Sequence, residues 1–163
     1  MIASLCIALI IHQPKWFCTK LSGYDIEKRS DIGIYDSKSG FYLCSTSECD
    51  GGYYSLVLTR DRNVVTECGY LVPNFTPREH DNGTVRLHYR PLRSLSTAKG
   101  VKIGDTPAEV RLLLGKPSKT ERDEFLTYHY KWSDKDSRPD YDQSYVFKAG
   151  KLIEIRFDRD EGG

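Results

Sequence analysis

The chain lacks an excess of charge of either sign: 24 Lys and Arg stand against 23 Asp and Glu, a formal net charge of +1 over 163 residues. So even a balance sets up no global field toward nucleic acid or an anionic membrane, and electrostatic recognition has to be local. Long apolar runs are also missing. The longest, Ile2 to Ile11, is interrupted only by Ser4, and it falls well short of the roughly 20 residues that a membrane-crossing helix needs. Metal and nucleophile signatures are absent too. The four histidines, His12, His80, His88 and His129, show no His-Glu-x-x-His or comparable ligand spacing. There is no Gly-x-Ser-x-Gly elbow. A Walker loop is excluded as well: Gly115-Lys116 follows the apolar stripe and precedes Pro117, where the motif needs Ser or Thr at the start of a helix. Nothing in the sequence implies a cofactor or a metal.

What is present points to β-structure. Aromatic residues make up 12% of the chain, eleven of them tyrosine, a type that favours half-buried sheet positions and interfaces. From 39 to 90, "FYLCS", "YYSLVLT", "VVTECGYLV" and "TVRLHYR" read as the strands of an antiparallel meander. Turn-forming segments rich in Gly, Asn, Asp and Pro separate them. Residues 15 to 38 read as irregular with one short strand at Ile32 to Tyr35, and "PLRSLSTAKG" as a linker.

The stretch 99 to 119, "KGVKIGDTPAEVRLLLGKPSK", is helix punctuation. Thr106 fits the N-cap, Pro107 the first helical position, and Glu109 the third residue of a capping box. Val110, Leu113 and Leu114 form an apolar stripe, Gly115 supplies the left-handed stop, and Pro117 prevents continuation. After it, "EFLTYHYKW" alternates so that Leu126, Tyr128, Tyr130 and Trp132 share a face, with Thr127, His129 and Lys131 opposite. The acidic segment "SDKDSRPDYDQ" reads as a loop. "SYVFKAGKLIEIRF" reads as a hairpin turning at Ala149-Gly150, with Ile153, Ile155 and Phe157 together and Leu152, Glu154 and Arg156 on the other side. The expected fold is α+β: an antiparallel β-meander N-terminal unit at 14–95, then at 96–160 a helix packed on a three-stranded antiparallel sheet. The open face of that sheet carries Thr127, His129, Lys131, Glu154 and Arg156, the candidate partner-binding residues.

The N-terminus and the cysteines bear on compartment. Ile2 to Ile11 has the length of a signal-peptide apolar region, although no basic residue precedes it and no Ala-x-Ala site follows. Residues 1–13 thus read as a signal-like segment, and removal near residues 13 to 20 is expected; the alternative is a buried element of the fold. Beyond Cys6, Cys18, Cys44, Cys49 and Cys68 are an even set. Cys44 with Cys49 and Cys18 with Cys68 is one pairing, and free buried thiols are the alternative. A zinc site is the weaker reading, because Cys-x4-Cys is at the edge of ligand spacing.

The motif order in residues 98 to 158 resembles a known pattern. The glycine-led start at Gly100 and Gly104-Asp105-Thr106, Glu109-Val110 in the helix, the Gly115-Lys116-Pro117 stop and the closing "FKAGKLIEIRF" look like the small α/β domain of the SmpA/OmlA (BamE-like) outer-membrane lipoproteins and of the β-lactamase-inhibitor-protein fold. The resemblance implies a two-layer fold and a non-enzymatic role in the bacterial envelope. On that pattern Gly104, Thr106, Val110, Gly115 and Pro117 specify the fold and do not form a site. The partner it implies is another envelope or secreted protein, with no nucleic acid and no spanning segment. The chain departs from the lipoproteins at Cys6, which follows Leu5 where the lipid-carrying cysteine needs a small residue. Two alternatives are a small secreted hydrolase using "CSTSECDGG" or the acidic loop, and a cytoplasmic domain with reduced thiols.

Overall fold

A computed structural model describes residues 13–28, 32–47, 53–67, 70–72, 84–122, 124–130 and 139–160. The first elements are a small hairpin, β1 (Lys20–Leu21) and β2 (Tyr24–Asp25), and a 3-10 turn at Ile26–Lys28. Next come β3 (Ile32–Asp36), β4 (Phe41–Ser47) and β5 (Tyr53–Thr59). A short helix α1 (Arg62–Glu67) leads to β6 (Tyr70–Val72) and β7 (Thr84–Tyr89). Helix α2 (Pro107–Leu114) precedes β8 (Lys119–Glu121), β9 (Phe125–Tyr130), β10 (Asp140–Lys148) and β11 (Lys151–Asp160).

The main strands form one mixed nine-stranded sheet in the order β6-β7-β3-β4-β5-β11-β10-β9-β8. This corrects the expected α+β arrangement of a meander followed by a helix on a separate three-stranded sheet. The described residues are 51% strand and 13% helix. The physical reason is the ten-residue β11, which pairs with β10 along one edge and with β5 along the other, from Ile155 opposite Leu58 to Asp160 opposite Tyr53. Hydrogen bonding therefore runs unbroken from the strands before residue 95 into those after 96.

Four local expectations are also corrected. "VVTECGYLV" does not form one strand: Arg62–Glu67 is helical, started by Asp61, whose side chain accepts from the Asn63 N–H at 2.8 Å. The meander is not wholly antiparallel, because β7 runs parallel to both β3 and β6. The acidic segment is strand from Asp140 onward, with Tyr141 and Gln143 buried. Leu152, not Ile153, joins Ile155 and Phe157 in the core. Val146 is opposite Glu154 while Phe147 is opposite Leu152, so a bulge absorbs Ile153 and re-aims the strand.

The core lies on one face. Ile34, Leu43, Leu56, Leu58, Ile155, Phe157, Tyr145, Leu126 and Tyr128 contribute from six strands. The N-terminal segment and α2 cover them. Trp16 and Phe17, each 8% exposed, pack against the aromatic end of β9 and β10: the Trp16 ring lies 5.7 Å from Tyr128 and 6.1 Å from Tyr130, and Phe17 lies 5.1 Å from Tyr141. The Gln143 amide donates to the Cys18 carbonyl, and the Tyr141 hydroxyl donates to Glu27, so polar bonds fasten the same segment. Residues 91–100 are no free linker, since Thr97 is buried and bridges Leu21.

Helix α2 has the expected caps. The Thr106 side chain accepts from the Glu109 N–H at 3.3 Å, and Glu109 accepts from the Thr106 N–H at 2.7 Å. Gly115, at φ 90°, ends the helix, and its carbonyl accepts from the Tyr128 hydroxyl at 2.9 Å. Val110 and Leu114 enter the core, whereas Leu113 is 39% exposed.

Candidate functional site on the polar face of the sheet

The opposite face is built by strand alternation, and its residues fall in rows across the strands. One row runs Ser55, Asp158, Asp142, His129 from β5 to β9. The next is Leu87, Gly33, Cys44, Val57, Arg156, Ser144, Thr127. A third places Tyr89, Tyr35, Tyr42 and Thr59 side by side, at the β7 end of the sheet.

Four of the five predicted partner residues are on this face. Thr127 and Arg156 flank Ser144, and His129 is one row away; Glu154 lies two residues along β11 from Arg156. Lys131 and Trp132 lie outside the described residues. The structure separates them by accessibility. Glu154 is only 9% exposed and accepts from the Thr59 hydroxyl at 3.0 Å, with Arg156 Nε 4.0 Å from its other oxygen. Thr59 in turn accepts from the Asp61 N–H at 3.0 Å, linking Glu154 to the start of α1. Glu154 therefore positions neighbours and offers little surface to a partner.

His129 and Asp142 do reach solvent. Their side chains are 44% and 40% exposed, and His129 Nδ1 lies 2.6 Å from Asp142 Oδ1. With Nδ1 engaged by the carboxylate, Nε2 is the ring nitrogen left for other contacts. A polar contact this exposed adds little to stability, of order 0.2–1 kcal/mol.

Asp142 and Asp158 stand opposite each other on β10 and β11, an unfavourable juxtaposition of like charges. Each has a donor on its far side: Ser55 donates to Asp158, and His129 faces Asp142. Asp140 and Asp160 repeat the pairing one row further on. The sequence reading puts Asp140 and Asp142 in an acidic loop and does not single out Asp158 or Asp160, although Asp140-Tyr141-Asp142 and Asp158-Arg159-Asp160 carry the period-2 signal of a polar strand face. Among the described residues, no group of three or more His, Cys, Asp or Glu side chains is placed to hold a metal ion.

The tyrosine row was missed as well. Tyr35 and Tyr42 have ring centroids 4.6 Å apart, and Tyr89 meets Tyr35 at 6.0 Å and 86°. Tyr89 is 61% exposed. Its side chain is held by a neighbouring ring, so little rotamer freedom remains to be lost on binding.

Cys18 carries a free thiol; Cys49 and Cys68, one partner of each candidate pairing, lie outside the described residues. Burial raises the Cys18 thiol above its usual range, an inert position for a nucleophile. Residues 48 to 52 of the proposed hydrolase loop, and Ile2 to Ile11, also lie outside the described residues. No helix among the described residues is long and apolar enough to cross a membrane. Compared with family models, with curated proteins and with solved structures, the chain matches none.

Proposed function

We propose that this chain is a non-enzymatic protein-interaction module of the bacterial cell envelope, exported and recognising another envelope or secreted protein through the polar face of its sheet. The observation that carries the reading is the exposed, ring-braced Tyr89 of the Tyr89-Tyr35-Tyr42 row, on the same face as the exposed His129–Asp142 pair. An exposed tyrosine held rigid by neighbouring rings is the residue type that interface hot spots favour. The SmpA/OmlA-like motif order of residues 98 to 158 supports the envelope compartment.

The test is site-specific photocrosslinking in the native envelope, with a photoreactive phenylalanine at Tyr89 and, separately, at His129. Both positions should capture the same partner, and Tyr89→Ser combined with Thr127→Lys should abolish capture while leaving the thermal transition in place. Undiminished capture by that folded double variant contradicts the assignment. Turnover of an ester or glycan panel by the purified protein would replace it with the hydrolase reading.

A further inference from the structure

The outer side of α2 is a second surface, independent of the sheet face. Its inner side is committed to the core through Val110 and Leu114, yet Leu112 is 79% exposed and Leu113 39%. Ala108 and Leu112, four residues apart, form an outward row with a small residue beside a large one. Cations lie beside it. Lys15 reaches across from the N-terminal segment, with Nζ 3.4 Å from the Leu112 carbonyl, and exposed Lys116 follows the leucines in sequence. The nearest acid on the helix, Glu109, is taken up by the Thr106 N–H and hydroxyl at 2.7 and 2.9 Å. The carboxylates of Asp142, Asp158 and Glu154 are on the far side of the sheet.

We infer that the outer face of α2 docks an acidic amphipathic helix of a partner protein, its apolar stripe on Leu112 and Leu113 and its carboxylates on Lys15 and Lys116. Charge complementarity selects the acidic partner. Two leucines and an alanine make a contact smaller than the roughly 1,200–2,000 Å² of a stable interface, the size of a weak, reversible one. A single helical row of anchors at i, i+3, i+4 and i+7 suits a ridge this narrow.

The experiment uses fluorescence anisotropy with the full chain and a labelled peptide of about five helical turns, leucine on one stripe and glutamate elsewhere. A matched peptide with lysine for glutamate is the control. The acidic peptide should bind saturably at low salt. Leu112→Ser should weaken it about tenfold, the loss of one anchor. Lys15→Glu with Lys116→Glu should do the same and remove the salt dependence. Because these side chains are exposed, the thermal midpoint should fall by only a few degrees, from the acids set at the helix C-terminus, which separates lost binding from lost fold. The inference is overturned if neither peptide binds, if the lysine peptide binds equally, or if Leu112→Ser has no effect. Leu112-dependent binding to vesicles of phosphatidylcholine and phosphatidylglycerol without peptide binding, or a Leu112-dependent dimer, overturns it too. Failure here leaves the Tyr89 crosslinking result untouched, because the two surfaces share no residue.

Discussion

Trp16→Ala is the substitution that most sharply tests how the N-terminal segment belongs to the fold. The ring is buried and meets Phe17, Tyr128 and Tyr130 at centroid distances of 6.0, 5.7 and 6.1 Å. Truncating a buried Trp to Ala costs about 3–5 kcal/mol, the lost transfer energy plus the cavity left behind. In a chain of this length each kcal/mol moves the midpoint by about 2–4 °C, so the thermal transition should fall by about 6–20 °C. Far-UV circular dichroism on heating measures this directly. Trp16→Phe, which retains a ring in the same site, should lose much less. A midpoint for Trp16→Ala within about 2 °C of the unmodified chain would refute the packing, because a loss below about 1 kcal/mol is the mark of a surface position. The same packing bears on export: a cut beyond Phe17 removes two core side chains, whereas one before Trp16 leaves them in place.

Two further outcomes follow from local geometry and burial. Ala149 sits at φ 50° beside Gly150 at φ 72° in the β10–β11 turn, a pair of positive angles that favours Asn-Gly; Ala149→Asn should raise stability by about 0.5–1 kcal/mol and Ala149→Val should lower it, read by urea midpoints. Burial pushes Tyr128 and Tyr141 up to about 12 from the usual 10.0, Tyr141 also through its bond to Glu27, and burial raises Tyr145 well above its ordinary value. The neutral phenols are favoured in the folded state, so their contribution is complete below pH 10 and is lost as the pH rises toward about 12. Absorbance titration should show these tyrosines ionising last, together with alkaline unfolding, and a normal titration of all eleven tyrosines would contradict the burial.

Much of the local structure was legible in the residues. The capping box at Thr106 and Glu109, the stop at Gly115, the turn at Ala149-Gly150 and the alternation of Leu126, Tyr128 and Tyr130 all declare themselves within a few positions. Those signals are short-range, and so is the information that fixes them. The parallel placement of β7 beside β3 and the antiparallel placement of β11 beside β5 are decided between segments far apart in sequence, with no local mark. Valine-rich Arg62–Glu67 becomes helical against its propensity, and only the Asp61 cap announces it. The bulge that exchanges Ile153 for Leu152 breaks the two-residue period within a run that reads as regular. The candidate site fared similarly: Thr127, His129 and Arg156 were placed on one face by alternation, while the tyrosine row needed the pairing of three strands to appear.

The central structural claim is that β5 and β11 join the chain into one sheet, and native-state hydrogen exchange tests it most directly. If the sheet is continuous, the slowest amides of β4 and β5 and those of β10 and β11 should exchange with the same free energy, through one global opening. Two separate free energies, with β3 to β5 opening while β9 to β11 remain protected, would contradict the shared sheet and restore two independent units.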